Sequence, residues 1–218
     1  MLKFALDTTL TDCICDYHMP FGDIERECNG EEEPGHTFVA LKGENGAFAV
    51  FNDSKYSYSA KDSTLYLTAI RSPIYGDHGG ERTDEVIYTD QGLTSFCYVF
   101  KYYEETDKAD MTRRAAILNT PPTVVIENNH KGTLPYSYSG ISIEGGSVII
   151  TALKRSEDGD GDIIRAYECE GRAQTVKINA PCLGMEQELS FTPYEVKTLL
   201  KKDGEDAFCE VMMTEFDC

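Results

Sequence analysis

The sequence predicts an all-β protein, a larger supersandwich-type β-sandwich part followed by a smaller C-terminal β-sandwich. Three observations carry that prediction. Short runs rich in Val, Ile, Tyr, Phe and Thr recur along the 218 residues; helical periodicity is nearly absent; and Gly, Asn, Asp and Pro punctuate the runs. A chain of this length can bury a sizeable core and fits one large domain or two modest ones. Its 41% hydrophobic and 27% charged residues are those of a chain that folds.

The expected strands follow in order. LKFALDT (2–8) opens the chain, and HTFVALK (36–42), AFAVFND (47–53) and TLYLTAI (64–70) carry the β-branched and aromatic residues that suit a pleated, half-buried surface. SFCYVFKYY (95–103) comes next. KADMTRRAAILN (108–119) is the one stretch that reads as a helix, ended by the Pro121 and Pro122 pair. After it come SVIITALKR (147–155), DIIRAYECE (162–170), AQTVKINA (173–180), QELSFT (187–192), YEVKTLLKK (194–202) and AFCEVMMTEF (207–216). GEEEPG (30–35) reads as an acidic turn. The Pro-Pro step and ENNHKGTLPYSYSG are rich in turn residues, so a boundary is expected near 120–137, dividing the chain into 1–128 and 129–218.

Charge narrows the function classes. Twenty Lys+Arg against 38 Asp+Glu give a formal charge of −18, which repels phosphate backbones and anionic lipid, so neither nucleic acid nor membrane is an expected partner. The N-terminal MLKFALDTTLTD lacks the apolar core of a signal peptide, and no run reaches the roughly 18 apolar residues of a membrane span. A cytoplasmic protein is expected. The eight cysteines lie in strand-like contexts and are expected as reduced thiols. Cys13, Cys15, His18 and Cys28 form a partial cluster without the second CxxC or HxxxH of a zinc site, so no metal is expected here. Asp158, Asp160 and Asp162 match the first, third and fifth positions of a calcium loop, but Ile163 stands at the sixth and Cys169 at the twelfth. EDGDGD is therefore expected as a hairpin tip between two strands.

Catalysis by this chain is not expected. The four histidines, His18, His36, His78 and His130, share no spacing with a nucleophile or with a second ligand. A retaining glycosidase needs two carboxyl groups about 5 Å apart, and 38 acidic residues do not single out a pair. The long polar segment from Arg71 to Asp90, between two clear strands, is where a β scaffold would place binding residues.

HMPFGDIERECNGEEEPGHTFVAL (18–41) and GAFAVFNDSKYSYSAKDSTLYLTAIRSPIYGDHG (46–79) resemble the C-terminal region of glycoside hydrolase family 38, the α-mannosidases. The counterparts are Pro20, Phe21, Gly22, Ile24 and Arg26; then Asn52, Asp53, Lys55, Tyr56 and Tyr58; then Arg71, Ser72 and Pro73. Asp90, Gln91 and Gly92 followed by Phe96 resemble a further segment, and 152–168 with 192–199 resemble the family's last sandwich. Two positions depart from the pattern. Ser57 stands where the family usually has Gly, and Thr94 where it often has His, which removes any role of that histidine.

The resemblance implies a C-terminal β region of a retaining α-mannosidase, inactive alone, whose nucleophile and zinc, or another divalent metal, lie in an N-terminal catalytic domain of the same polypeptide. That domain and the α-mannoside substrate are the implied partners. It also implies a sandwich loop at the rim of the active-site cleft, for which Arg71, Asp90, Gln91 and Gly92 are the candidates; for Arg71 the alternative is a structural ion pair at the sandwich edge. Asn52, Asp53, Lys55, Tyr56 and Tyr58 form a structural motif, with Tyr56 and Tyr58 expected on one face of a strand and packed in the core or at a domain interface. A free-standing carbohydrate-binding module, or a structural interaction module, is the alternative function.

Overall fold

The computed structural model describes residues 1–74 and 88–215. It is an all-β protein of two compact units, one made of Met1–Asp107 and Arg114–Pro121, the other of Lys108–Arg113 and Pro122–Cys218.

The first unit contains β1 (Leu2–Asp7), β2 (Ile14–Met19), β3 (Gly22–Glu27), β4 (Asn29–Pro34), β5 (Phe38–Gly43), β6 (Gly46–Asn52), β7 (Ser57–Lys61), β8 (Thr64–Ile70) and β9 (Tyr98–Tyr103). They form two antiparallel sheets, ordered β1-β8-β7-β4 and β3-β2-β5-β6-β9. Cys15, Tyr17, Val39, Leu41 and Val50 from the five-stranded sheet meet Tyr58, Ala60, Leu65 and Leu67 from the four-stranded one in a single core. Registers such as Tyr17↔Val39 and Val39↔Val50 put these side chains on one face. β5 is buried from Phe38 to Leu41 without alternation, as in a strand covered on both sides.

Helix α1 (Lys108–Asn119) occupies the expected residues. The second unit adds β10 (Ser142–Glu144), β11 (Val148–Arg155), β12 (Gly161–Glu168), β13 (Gln174–Ala180), a 3-10 turn at Pro181–Leu183, β14 (Met185–Phe191), β15 (Val196–Lys202) and β16 (Cys209–Val211). Its sheets run β10-β13-β14 and β11-β12-β15-β16. Val176, Ile178, Ala180 and Phe191 pack from one against Val148, Ile164, Ala166 and Leu199 from the other.

EDGDGD is the tip of the β11–β12 hairpin. Gly159 has φ +75°, which favours glycine; Gly161 is extended and needs glycine for space instead, since a Cβ there would lie 2.4 Å from the Lys201 carbonyl oxygen.

The structure corrects three expectations and adds a hairpin. The acidic stretch near Glu32 is strand β4 rather than a turn. Two of its three carboxylates are paired, Arg26 reaching Glu33 at 3.3 Å and Lys3 reaching Glu32 at 3.5 Å, while Glu31 is exposed, so carboxylates can occupy a sheet edge. CDYHMPFGDIER folds as the β2–β3 hairpin through Pro20 and Phe21, with Phe21 at φ +62° where a glycine would ordinarily announce the turn. The final strand shrinks to Cys209–Val211. Beyond it the chain turns, and the buried carboxylate of Glu215 takes Lys154 at 3.0 Å and Arg165 at 3.3 Å. Tyr56 and Tyr58 do not share a strand face: Tyr58 lies inside β7 and in the core, whereas Tyr56 precedes the strand and is 51% exposed.

Candidate functional site

The connection from β6 to β7 is built around one amide. Asn52, fully buried at the end of β6, accepts hydrogen bonds at Oδ1 from the backbone N–H groups of Ser54 (3.0 Å) and Lys55 (2.8 Å), which bends the chain as an Asx turn. Its Nδ2 donates to the His36 carbonyl oxygen (2.8 Å) and to the Tyr58 hydroxyl, and that hydroxyl donates to the Lys55 carbonyl oxygen at 2.9 Å. All four polar capacities of the side chain are therefore used. Burial pushes the Tyr58 hydroxyl pKa up, so it stays a neutral donor.

Asp53, next in sequence, ties this turn to the segment returning from the long loop. Its Oδ1 accepts from the Cys97 N–H at 2.9 Å and from the Ser54 hydroxyl at 2.8 Å. The Cys97 bond, then the Ser54 bond, hold its carboxyl below the ordinary range. Lys55 extends its ammonium over the Phe96 ring, 5.6 Å from the centroid. The motif Asn52, Asp53, Lys55 and Tyr58 thus fastens the base of the loop.

Beyond β8, Ile74 bridges Tyr88, and the N–H and hydroxyl of Thr89 both donate to the Pro73 carbonyl oxygen, at 2.9 and 3.2 Å. Asp90, Gln91 and Gly92 follow that clasp. All three are exposed; Asp90 has φ +53°, Gly92 has φ +109° with open space around it, and Gln91 donates to the Thr89 carbonyl oxygen at 3.2 Å. The chain between Ile74 and Tyr88, with His78 and Arg82, lies outside the described residues.

Arg71 is exposed at the end of β8. It belongs to a polar cluster centred on Glu32, whose carboxylate accepts from the Ser57 hydroxyl, from the Thr68 hydroxyl at 3.0 Å, and pairs with Lys3. The bonds from Ser57 and Thr68, then the charges of Lys3 and Arg71, hold the Glu32 carboxyl below its ordinary range. Asp90, Gln91 and Gly92 lie on the far side of the Thr89 clasp in sequence, and Arg71 on the near side.

Two features were not visible in the sequence. His18 and His36 come together, ring centroids 5.7 Å apart and nearly parallel, with His18 also stacked on Phe38 at 4.6 Å. His18 is buried, bonds Thr37 through Nδ1 at 3.0 Å, and finds no partner for Nε2 among the described residues. Burial, then the neighbouring His36, lowers its pKa to about 4. In the second unit, Glu168 is fully buried. It accepts from the N–H groups of Glu170, Gly171, Arg172 and Tyr194 and from the Gln174 amide, at 2.6–3.1 Å. The pairings of β2 bring His18 to His36, which are far apart in sequence; four of the five Glu168 partners lie within six residues of it, and Tyr194 is brought in beside the β12–β15 pairing.

Among the described residues, no group of three or more His, Cys, Asp or Glu is placed to hold a metal ion. None of the described helices is long and apolar enough to cross a membrane.

Two family models match. That for the glycosyl hydrolases family 38 C-terminal domain covers residues 1–79, and that for the glycosyl hydrolases family 38 C-terminal beta sandwich domain covers 147–199. Alpha-mannosidase G of Dictyostelium discoideum is 24% identical over 201 residues, which span 87% of this chain but 17% of that protein. An alpha-mannosidase from Enterococcus faecalis V583 superposes with a TM-score of 0.73 at 17% identity, covering 91% of this chain and 25% of the other. A glycosyl hydrolase family 38 protein from Enterococcus faecalis gives 0.70 at 16% identity, with 91% and 26% covered. The two matched segments are the first seven strands with β8, and the core strands β11 to β15; the chain belongs to glycosyl hydrolase family 38, as part of its C-terminal β region.

Proposed function

We propose that this chain is the accessory β region of a longer α-mannosidase, supporting a catalytic domain of the same polypeptide and lending it a loop at the rim of the sugar cleft. One observation carries the proposal: 87% of the chain aligns with only 17% of alpha-mannosidase G, so the counterpart of this chain in that protein is a minor, β-built portion. The reaction is the retaining hydrolysis of terminal α-mannosides. Its zinc would be held by the catalytic domain; among the described residues of this chain no group of three or more His, Cys, Asp or Glu is placed to hold a metal ion. We divide the region at 128/129 into its two β parts and place the protein in the cytoplasm.

In this reading Arg71, Asp90, Gln91 and Gly92 border the sugar. An arginine can donate two parallel hydrogen bonds to sugar oxygens or to a carboxylate that faces them. In the longer polypeptide, Arg71→Ala is expected to lower kcat/KM for a small aryl α-mannoside by about tenfold or more, the loss of one charge-assisted hydrogen bond. An unchanged rate constant removes Arg71 from the rim and leaves it as a member of the Glu32 cluster.

A further inference from the structure

Cys13 and Cys28 stand where the two layers of the first unit exchange chain. Cys13 lies on the connection from β1, in the four-stranded sheet, to β2, in the five-stranded one; Cys28 lies between β3 and β4, where the chain crosses back. In the β2–β3 ladder Cys15 faces Arg26 and Ile14 faces Glu27, where the pairing ends; continuing that register by one residue would set Cys13 opposite Cys28, and the two line the same cleft. Directly opposed residues of antiparallel strands have Cα atoms about 4.5–5.5 Å apart, within the range a disulfide spans. The period of two puts Cys13 on the same face as Cys15, whose side chain is in the core, and both Cys13 and Cys28 pack against that core.

Both cysteines also line one open cleft of about 590 Å³, with Leu10, Asp12, Asp62 and Ser63 among its walls. A small reagent can reach them there. Cys15 is different: it is fully buried and does not line the cleft.

We propose that Cys13 and Cys28 form a reversible cross-strand disulfide, made by thiol–disulfide exchange with a low-molecular-weight disulfide such as oxidised glutathione. The Cys13 thiolate attacks one sulfur of the reagent and displaces the first small thiolate, leaving a mixed disulfide. The Cys28 thiolate then attacks Sγ of Cys13 and displaces the second. One S–S bond forms and one breaks; the protein loses two electrons, the reagent gains them, and the two protein thiol protons end on the two released thiols. Burial, then the adjacent Asp12, raises the Cys13 thiol, and burial followed by Cys13 pushes Cys28 up to about 11. Thiolate is therefore scarce, which makes exchange slow, and the reduced pair gains none of the thiolate stabilisation that makes some disulfides easy to reduce. The bond would staple both crossings between the layers at one end of the sandwich and close a loop of about 15 residues in the unfolded chain, where it stabilises chiefly by restricting that state.

The test equilibrates the intact chain in glutathione buffers stepped from reduced to strongly oxidised, alkylates the remaining thiols, digests, and reads the peptides by mass spectrometry. A peptide pair joined through Cys13 and Cys28, lighter by the two lost hydrogens, is the expected result, together with a rise of several degrees in the thermal midpoint. In Cys13→Ser the pair disappears and Cys28 carries glutathione; Cys28→Ser mirrors this at Cys13. The wild-type peptide map decides the matter even if a variant folds poorly. Cys13 and Cys28 both alkylated in every buffer, each carrying its own glutathione, or either joined to Cys15 would overturn the proposal.

Discussion

His18 shows what burial does to a single titratable side chain. Its ring sits between Phe38 and His36 with Nδ1 engaged by Thr37, and its folded pKa of about 4 lies below the ordinary value of 6.5. The unfolded chain therefore takes up a proton at this position between pH 6.5 and 4 while the folded chain does not. Stability contributed by neutral His18 is complete above pH 6.5 and is lost as pH falls towards 4, by on the order of 3 kcal/mol. The charge of Asp16 raises the pKa and opposes this. His18→Phe keeps a ring on Phe38 and removes the titration. Urea unfolding from pH 7 to 4 is expected to show the wild type losing stability more steeply than the variant; parallel curves would mean that His18 is protonated alike in both states. Asn52 works at the same scale in the opposite manner. It does not titrate, and its amide lets the chain leave β6, reverse and enter β7 with every bonding capacity of the side chain used.

At the scale of elements, Glu168 joins two connections that are far apart in sequence. Its Oε1 accepts from Glu170 and Gln174, and its Oε2 from Gly171, Arg172 and Tyr194, so the end of β12, the turn into β13 and the turn before β15 share one acceptor. Gly171, at φ +75°, lets the loop pass the Tyr194 ring, against which a Cβ would lie at 2.6 Å. Glu168→Ala leaves several buried donors unpaired and is expected to cost at least about 3 kcal/mol. Glu168→Gln is expected to rescue little, because either orientation of the amide turns its NH₂ towards at least two donors. Chemical denaturation of both variants checks this; a glutamine variant close to wild type would show that shape, not accepting capacity, holds the loops. Elements of this kind divide into those the sequence announces and those it conceals. Strands such as Thr64–Ile70 and helix Lys108–Asn119 were legible because local propensity and the Pro121-Pro122 stop agree with the fold. The β2–β3 hairpin was hidden by Phe21 in a conformation usually left to glycine, and β4 by glutamates whose neutralising partners are supplied from other strands. The family motif pointed to Asn52 and Tyr58, whereas the Glu32 cluster gathers Lys3, Ser57 and Thr68 from distant strands and had no sequence signal; the Glu168 turn is mostly local, but one glutamate among many acidic residues does not announce it.

For the whole molecule, a charge of −18 is spread over two sandwich units whose cores are separately complete, each built from facing sheets. On the proposed function this β region does not bind sugar by itself: Arg71 and Asp90, Gln91 and Gly92 would complete a site whose other walls come from the catalytic domain. Isothermal titration of this chain alone with mannose and with mannobiose tests that claim most directly. Heats of dilution with no saturation are the predicted result. Clear saturable binding of either sugar would contradict it and make the chain a carbohydrate-binding module in its own right.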